Sequence, residues 1–95
     1  MNTILVSYDL NEKGKDYSKI IEHLESYEEH IKPLLSLWLI RTPLTAKEVY
    51  DKVEKCVDKN DNICAIDVTG SLLSSKWKVL QKDVELIKKF MLTPK

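Results

Sequence analysis

Polar and apolar residues alternate from Asn2 to Asp9, with Ile4, Val6 and Tyr8 on one side and Thr3, Leu5, Ser7 and Asp9 on the other. This period of two predicts a strand, and the apolar residues on both sides near its start suit a central one. Asn11 to Lys15, with Gly14, reads as a turn. Asp16 then offers an N-cap oxygen to a helix in which Tyr17, Ile20, Ile21, Leu24 and Tyr27 recur at helical spacing, ending near Glu29. Pro33 bars both a helix interior and a central ladder position. The next stretch therefore divides into a short edge strand over 31–35 and a second strand over 36–42. In the second, Leu37, Leu39 and Arg41 share one face and Ser36, Trp38 and Ile40 the other. Thr45-Ala-Lys-Glu48 is a capping box that opens a helix with Ala46, Val49, Val53, Cys56 and Val57 inside. Glu48 with Lys52 and Asp51 with Lys55 are its expected i,i+4 pairs. Asp58 to Asn62 ends that helix, a strand over 63–69 follows, and Gly70 breaks it. From Ser71, Leu73, Trp77, Leu80, Val84, Ile87 and Met91 recur at steps of four and three, which predicts an appended C-terminal helix over 71–92. Such a seam fits either packing on its own domain or a protein partner.

The order β-α-β-β-α-β plus a helix is the split βαβ, ferredoxin-like arrangement of the α+β class. The expected sheet has the first strand in its centre, parallel to the third and antiparallel to the fourth. On that reading Asp9 and Arg41 meet at one edge and Asp67 lies at the other. Ninety-five residues make a single domain. Leu, Ile, Val and Phe make up 29 of them, enough to fold around a core. The longest apolar run, Leu34 to Ile40, is broken by Ser36 and is far shorter than the ~20 residues of a membrane span. The N-terminus lacks the basic flank of a secretory signal, so no membrane and a cytoplasmic setting are expected.

Fifteen basic and fifteen acidic side chains cancel, which removes the overall charge of a dedicated nucleic-acid binder. The balance is local. Residues 72–95 carry six lysines against Asp83 and Glu85. Lys78 and Lys82 among them read either as a solvated face or as contacts to a phosphate backbone. Cys56 and Cys64 lack metal-type spacing and read as reduced core residues. Nucleotide-binding loops, zinc spacing and a nucleophile elbow are absent, and two glycines cannot build a phosphate cradle. His23 and His30 stand seven apart without a neighbouring carboxylate triad and read as surface or rim residues rather than metal ligands.

Asp9 is then the outstanding candidate. A carboxylate at the end of an apolar central strand is placed to hold a divalent cation, or to serve as a turn aspartate or an ion-pair partner of Arg41. One carboxylate makes a poor Mg²⁺ or Mn²⁺ site unless a symmetry mate adds another, so metal chemistry here requires a homodimer.

Ile-Leu-Val-Ser-Tyr-Asp-Leu (Ile4 to Leu10), Leu-Ser-Leu-Trp-Leu-Ile (Leu35 to Ile40), Pro-Leu-Thr-Ala-Lys-Glu-Val (Pro43 to Val49) and the Asp-Lys-Asn-Asp before the last strand resemble the small CRISPR adaptation protein family. The likeness is strongest to its stand-alone, SinR-like relatives and covers residues 1 to about 70. It implies a ferredoxin-like fold, a homodimer, and a strand-end acid, here Asp9, that in some members binds a metal across the dimer axis for phosphodiester hydrolysis. Ser36 matches the family's serine near the third strand, with Trp38 following. Two features depart from the family. The first helix is acidic where adaptation proteins carry DNA-contacting basic residues, and a helix replaces the strand that adds to the partner subunit.

Three functions follow as expectations. One is a homodimer binding nucleic acid or a small nucleotide near Ser7, Tyr8, Asp9, Ser36 and Arg41, with Tyr8 or Trp38 stacking on a base or lying in the core, and Lys78 and Lys82 as a second contact. Another is a metal-dependent phosphodiesterase using Asp9 from both subunits as catalytic metal ligand. The last is a non-catalytic interaction module acting through the C-terminal seam.

Overall fold

The computed structural model describes residues 1–10 and 17–92. Its elements are β1 (Asn2–Asp9), α1 (Ser18–Glu25), β2 (Glu29–Leu34), β3 (Leu37–Thr42), α2 (Ala46–Glu54), β4 (Asn62–Asp67), a 3-10 turn (Ser71–Ser74) and α3 (Gln81–Leu92). The expected turn over 11–15 and the Asp16 cap lie outside the described residues. The strands form one sheet in the order β2-β3-β1-β4, with every neighbour antiparallel. This α+β arrangement is compatible with a ferredoxin-like one.

The expected parallel pairing of the first and third strands is incorrect. Asn2 lies opposite Thr42 and Ser7 opposite Leu37, so β1 and β3 run in opposite directions. The cause is the connection between strands. The helical crossover brings β2 in parallel to β1, and the tight turn at Leu35 and Ser36 sends β3 back between them. Asp9, opposite Asn62, therefore stands at one end of the sheet. Arg41, opposite Thr3, and Asp67, opposite Ile4, stand at the other.

Strand alternation sorts side chains as expected. Ile4, Val6 and Tyr8 of β1 and Trp38 and Ile40 of β3 bury against Ile20 and Leu24 of α1 and Val49 and Val53 of α2. On the opposite face Ile31 and Leu39 bury beneath Ile87 and Phe90 of α3 together with Leu72, and Leu5 and Leu37 pack at the margin. Pro33 sits in an irregularity of register between Ile31 and Leu34 on the edge strand β2, where its missing N–H costs no ladder bond.

Capping chemistry fixes α2 as the sequence expects. The Thr45 hydroxyl accepts from the Glu48 amide at 3.2 Å and the Thr45 amide donates to Glu48 Oε1 at 3.0 Å. Such a cap is worth about 1 kcal/mol. The Asp51 carboxylate pairs with Lys47 at 2.8 Å rather than with Lys55. Helix α1 stops at Glu25, four residues before the expected end. There the Ser26 amide and hydroxyl both turn back to the His23 carbonyl, and Glu29 is drawn into the sheet opposite Arg41.

The C-terminal segment corrects the sequence reading more deeply. No continuous helix spans 71–92. Gly70, at φ 80°, turns the chain through the left-handed region that a side chain disfavours, and a single 3-10 turn follows. The Ser75 amide and hydroxyl both close on the Leu72 carbonyl, and Ser75 leaves the turn in extended geometry. Regular helix resumes only at Gln81. The heptad seam is thereby divided, with Ile87 1% exposed while Leu73 and Leu80 are 71% and 66% exposed. Among the described residues no helix is long and apolar enough to cross a membrane.

Candidate functional site

Alternation along β1 puts Leu5, Ser7 and Asp9 on the face opposite α1 and α2. The β4 residues facing them in register are Ile66, Cys64 and Asn62. Three rows result: Leu5 with Ile66, Ser7 with Cys64, and Asp9 with Asn62. Helix α3 lies against β2 on this side, and among the described residues the β4 half stays open. Ile66 is 51% exposed, and Cys64, Asn62 and Asp9 are exposed too. Ser7, Asp9, Asn62 and Cys64 line a shallow depression of about 210 Å³ at the strand ends. Ser36 joins the same end of the sheet, where its carbonyl accepts from the Tyr8 amide at 3.1 Å.

Ser7, Asp9 and Ser36 thus lie at one end of the sheet, with Tyr8 at the margin of the depression, while Trp38, Arg41, Lys78 and Lys82 do not join them. Tyr8 and Trp38 are 6% and 2% exposed, and the indole Nε1–H donates to the Tyr8 hydroxyl at 3.0 Å inside the core. Neither ring offers a face to a base. Arg41 is buried at the far end of the sheet, 3.4 Å from Glu29, with its guanidinium 5.8 Å from the Phe90 ring centroid. Lys78 and Lys82 are exposed, on the irregular stretch and on α3 respectively. Cys64 is a free thiol on the open face rather than a core residue, and Cys56 is free and half-buried. Cys64, Asn62 and Ile66 are the residues that sequence reasoning passed over. Their signal was the alternation of the last strand, which already placed Cys64 and Ile66 on one side.

Among the described residues Asp9 is the one acidic group lining the depression, beside the neutral oxygens of Ser7 and Asn62. Among the described residues no three His, Cys, Asp or Glu side chains converge on one point. A divalent cation, which takes several oxygen ligands, does not fit one copy of this set, and a second copy would have to supply the next carboxylate.

A separate polar cluster lies between the helices. His23 Nε2 and the Tyr27 hydroxyl are 3.0 Å apart, with the rings edge to face. Burial first, and then the nearby Lys52 ammonium, push the His23 pKa below its ordinary 6.5. Burial also raises Tyr27, helped by Cys56. An imidazole with a depressed folded pKa takes its proton more readily in the unfolded chain. Its contribution to stability is complete above pH 6.5 and declines as the pH falls below that value towards the folded pKa. Thermal melts of wild type and His23→Gln across that range should show the wild type losing melting temperature more steeply. Parallel curves would remove His23 from the acid response.

Compared with protein-family models, with curated proteins and with solved structures, the chain matches none.

Proposed function

We propose that the chain is a ferredoxin-like module, of the kind its resemblance to the small CRISPR adaptation proteins implies, that dimerises through the open β1–β4 face and binds nucleic acid or a small nucleotide in the cleft so formed. One observation carries the reading: Ile66 and Cys64 are exposed on this face, with half-buried Leu5 at its inner margin, and are continuous with Asp9 and Asn62. A twofold contact uses the same patch on both copies, so an exposed apolar row covered by its own image brings both Asp9 carboxylates to a shared cleft. Two carboxylates facing each other repel unless a cation or hydroxyl donors come between them. Sugar hydroxyls would satisfy them directly, and a divalent cation held by both Asp9 side chains would meet a phosphate. Such a cation polarises a phosphoryl oxygen and activates water, which is the phosphodiesterase form of this proposal. Exposed Lys78 and Lys82 supply the second contact.

The test begins with assembly. Light scattering should give twice the chain mass for the wild type and a monomer for Ile66→Glu, whose circular dichroism stays native because the site is exposed. A labelled oligonucleotide and a labelled mononucleotide should bind the wild type and not the monomer, with affinity falling as salt rises. Asp9→Asn should keep the dimer and lose metal-stimulated binding or cleavage. A monomeric wild type removes the shared cleft altogether, and binding equal in Ile66→Glu moves it elsewhere.

A further inference from the structure

The irregular stretch that interrupts the C-terminal seam creates a second cavity, away from Asp9. Between residues 75–77 and α3 lies a groove of about 220 Å³ walled by Trp77, Val84, Ile87 and Met91, with Lys76 and Lys88 also lining it. Its shape is fixed at both sides. The Trp77 Nε1–H donates to Ser75 Oγ at 2.8 Å, and that hydroxyl donates onward to the Leu72 carbonyl. Ile87 is anchored in the core beneath it. At ~30 Å³ per water the groove holds roughly seven waters, and its four apolar walls give them few hydrogen bonds. The volume falls below the ~300 Å³ at which drug-sized ligands begin to fit. A chain of about six to eight carbons matches it.

Charge selects the head group. Lys76 and Lys88 are exposed ammonium groups at an apolar site, and from residue 72 onward lysines outnumber acids six to two. Among the described residues Lys88 pairs with Glu85 at 3.8 Å, and both side chains are more than half exposed, a contact worth little in water. An incoming carboxylate therefore displaces a weak partner. We propose that this groove binds a small amphipathic anion, a medium-chain alkanoate or a carboxylate of similar size, with its chain against Trp77 and Met91 and its head group at Lys88 and Lys76. The proposal does not depend on the dimer, since no residue of β1 or β4 lines the groove.

The molecule carries its own internal control, because Trp38 is buried and Trp77 lines the groove. Two-dimensional ¹H–¹⁵N spectra of the full chain, with Trp77→Phe to assign the indole signals, should show octanoate shifting Trp77 saturably while Trp38 stays in place. From hexanoate to octanoate each added methylene should tighten binding about three- to fourfold. Lys88→Glu should weaken octanoate about tenfold and Lys88→Arg should not. Octyltrimethylammonium binding as tightly as octanoate overturns the head-group assignment and with it the proposal. So do equal shifts of both indoles, shifts seen only with anionic vesicles, or no shift up to the solubility limit of octanoate.

Discussion

Trp38→Ala should cost about 3–5 kcal/mol of folding stability, a large share of the 5–15 kcal/mol that holds a typical domain together. The side chain is 2% exposed between β1 and the two helices, so truncation leaves a cavity in the larger core. It also strands the Tyr8 hydroxyl, which accepts the indole N–H at 3.0 Å. Urea unfolding should show a lower midpoint with an unchanged slope. Trp38→Phe separates the two effects, because it keeps most of the volume and removes only the donor, at about 1–3 kcal/mol. Adding Tyr8→Phe should then cost less than the sum of the single changes, since no hydroxyl remains to be orphaned. A base-stacking role demands the reverse pattern. An unchanged urea midpoint combined with lost nucleotide binding in Trp38→Phe would return the indole to the binding surface.

Much of this core was legible in the sequence, because alternation in a strand admits one answer once a face is buried. Ile4, Val6 and Tyr8 against Trp38 and Ile40 needed only a period of two, and Thr45 with Glu48 announced a helix start through chemistry confined to four residues. Strand direction was a different kind of inference. It depends on how connections carry the chain across the sheet, and assigning β3 parallel to β1 moved Arg41 from the far end to the side of Asp9. That single reversal assembled a phosphate site from residues about a strand length apart. Arg41 was also misleading by type, since a charged residue flanked by Ile40 and Thr42 reads as exposed until Glu29 and the Phe90 ring are known to cover it. Asp9 was read correctly as a strand-end carboxylate. Its neighbours Cys64 and Asn62 come from another strand and needed the register.

The seam at the C-terminus gives the second large effect, through two residues that the sequence treats alike. Leu80 and Ile87 stand seven apart, one heptad, yet Ile87 is 1% exposed against Ile31 and Leu39 whereas Leu80 is 66% exposed ahead of α3. Ile87→Ala should therefore cost about 2–5 kcal/mol, and Leu80→Ala should stay within about 0.5 kcal/mol. Leu80 does its structural work through the backbone, its carbonyl accepting the Asp83 and Val84 amides at 2.9 and 3.1 Å, a task open to almost any side chain. Periodicity failed here because Gly70 and the closure of Ser75 on Leu72 set local geometry that a count of apolar steps does not register. If the seam instead held a partner helix, both substitutions would weaken assembly to similar degrees. A midpoint for Ile87→Ala that falls by the same amount at every concentration, beside an unchanged Leu80→Ala, assigns α3 to the core of its own chain and leaves the open half of the sheet, Ile66 and Cys64 with Asp9, as the surface for a second copy.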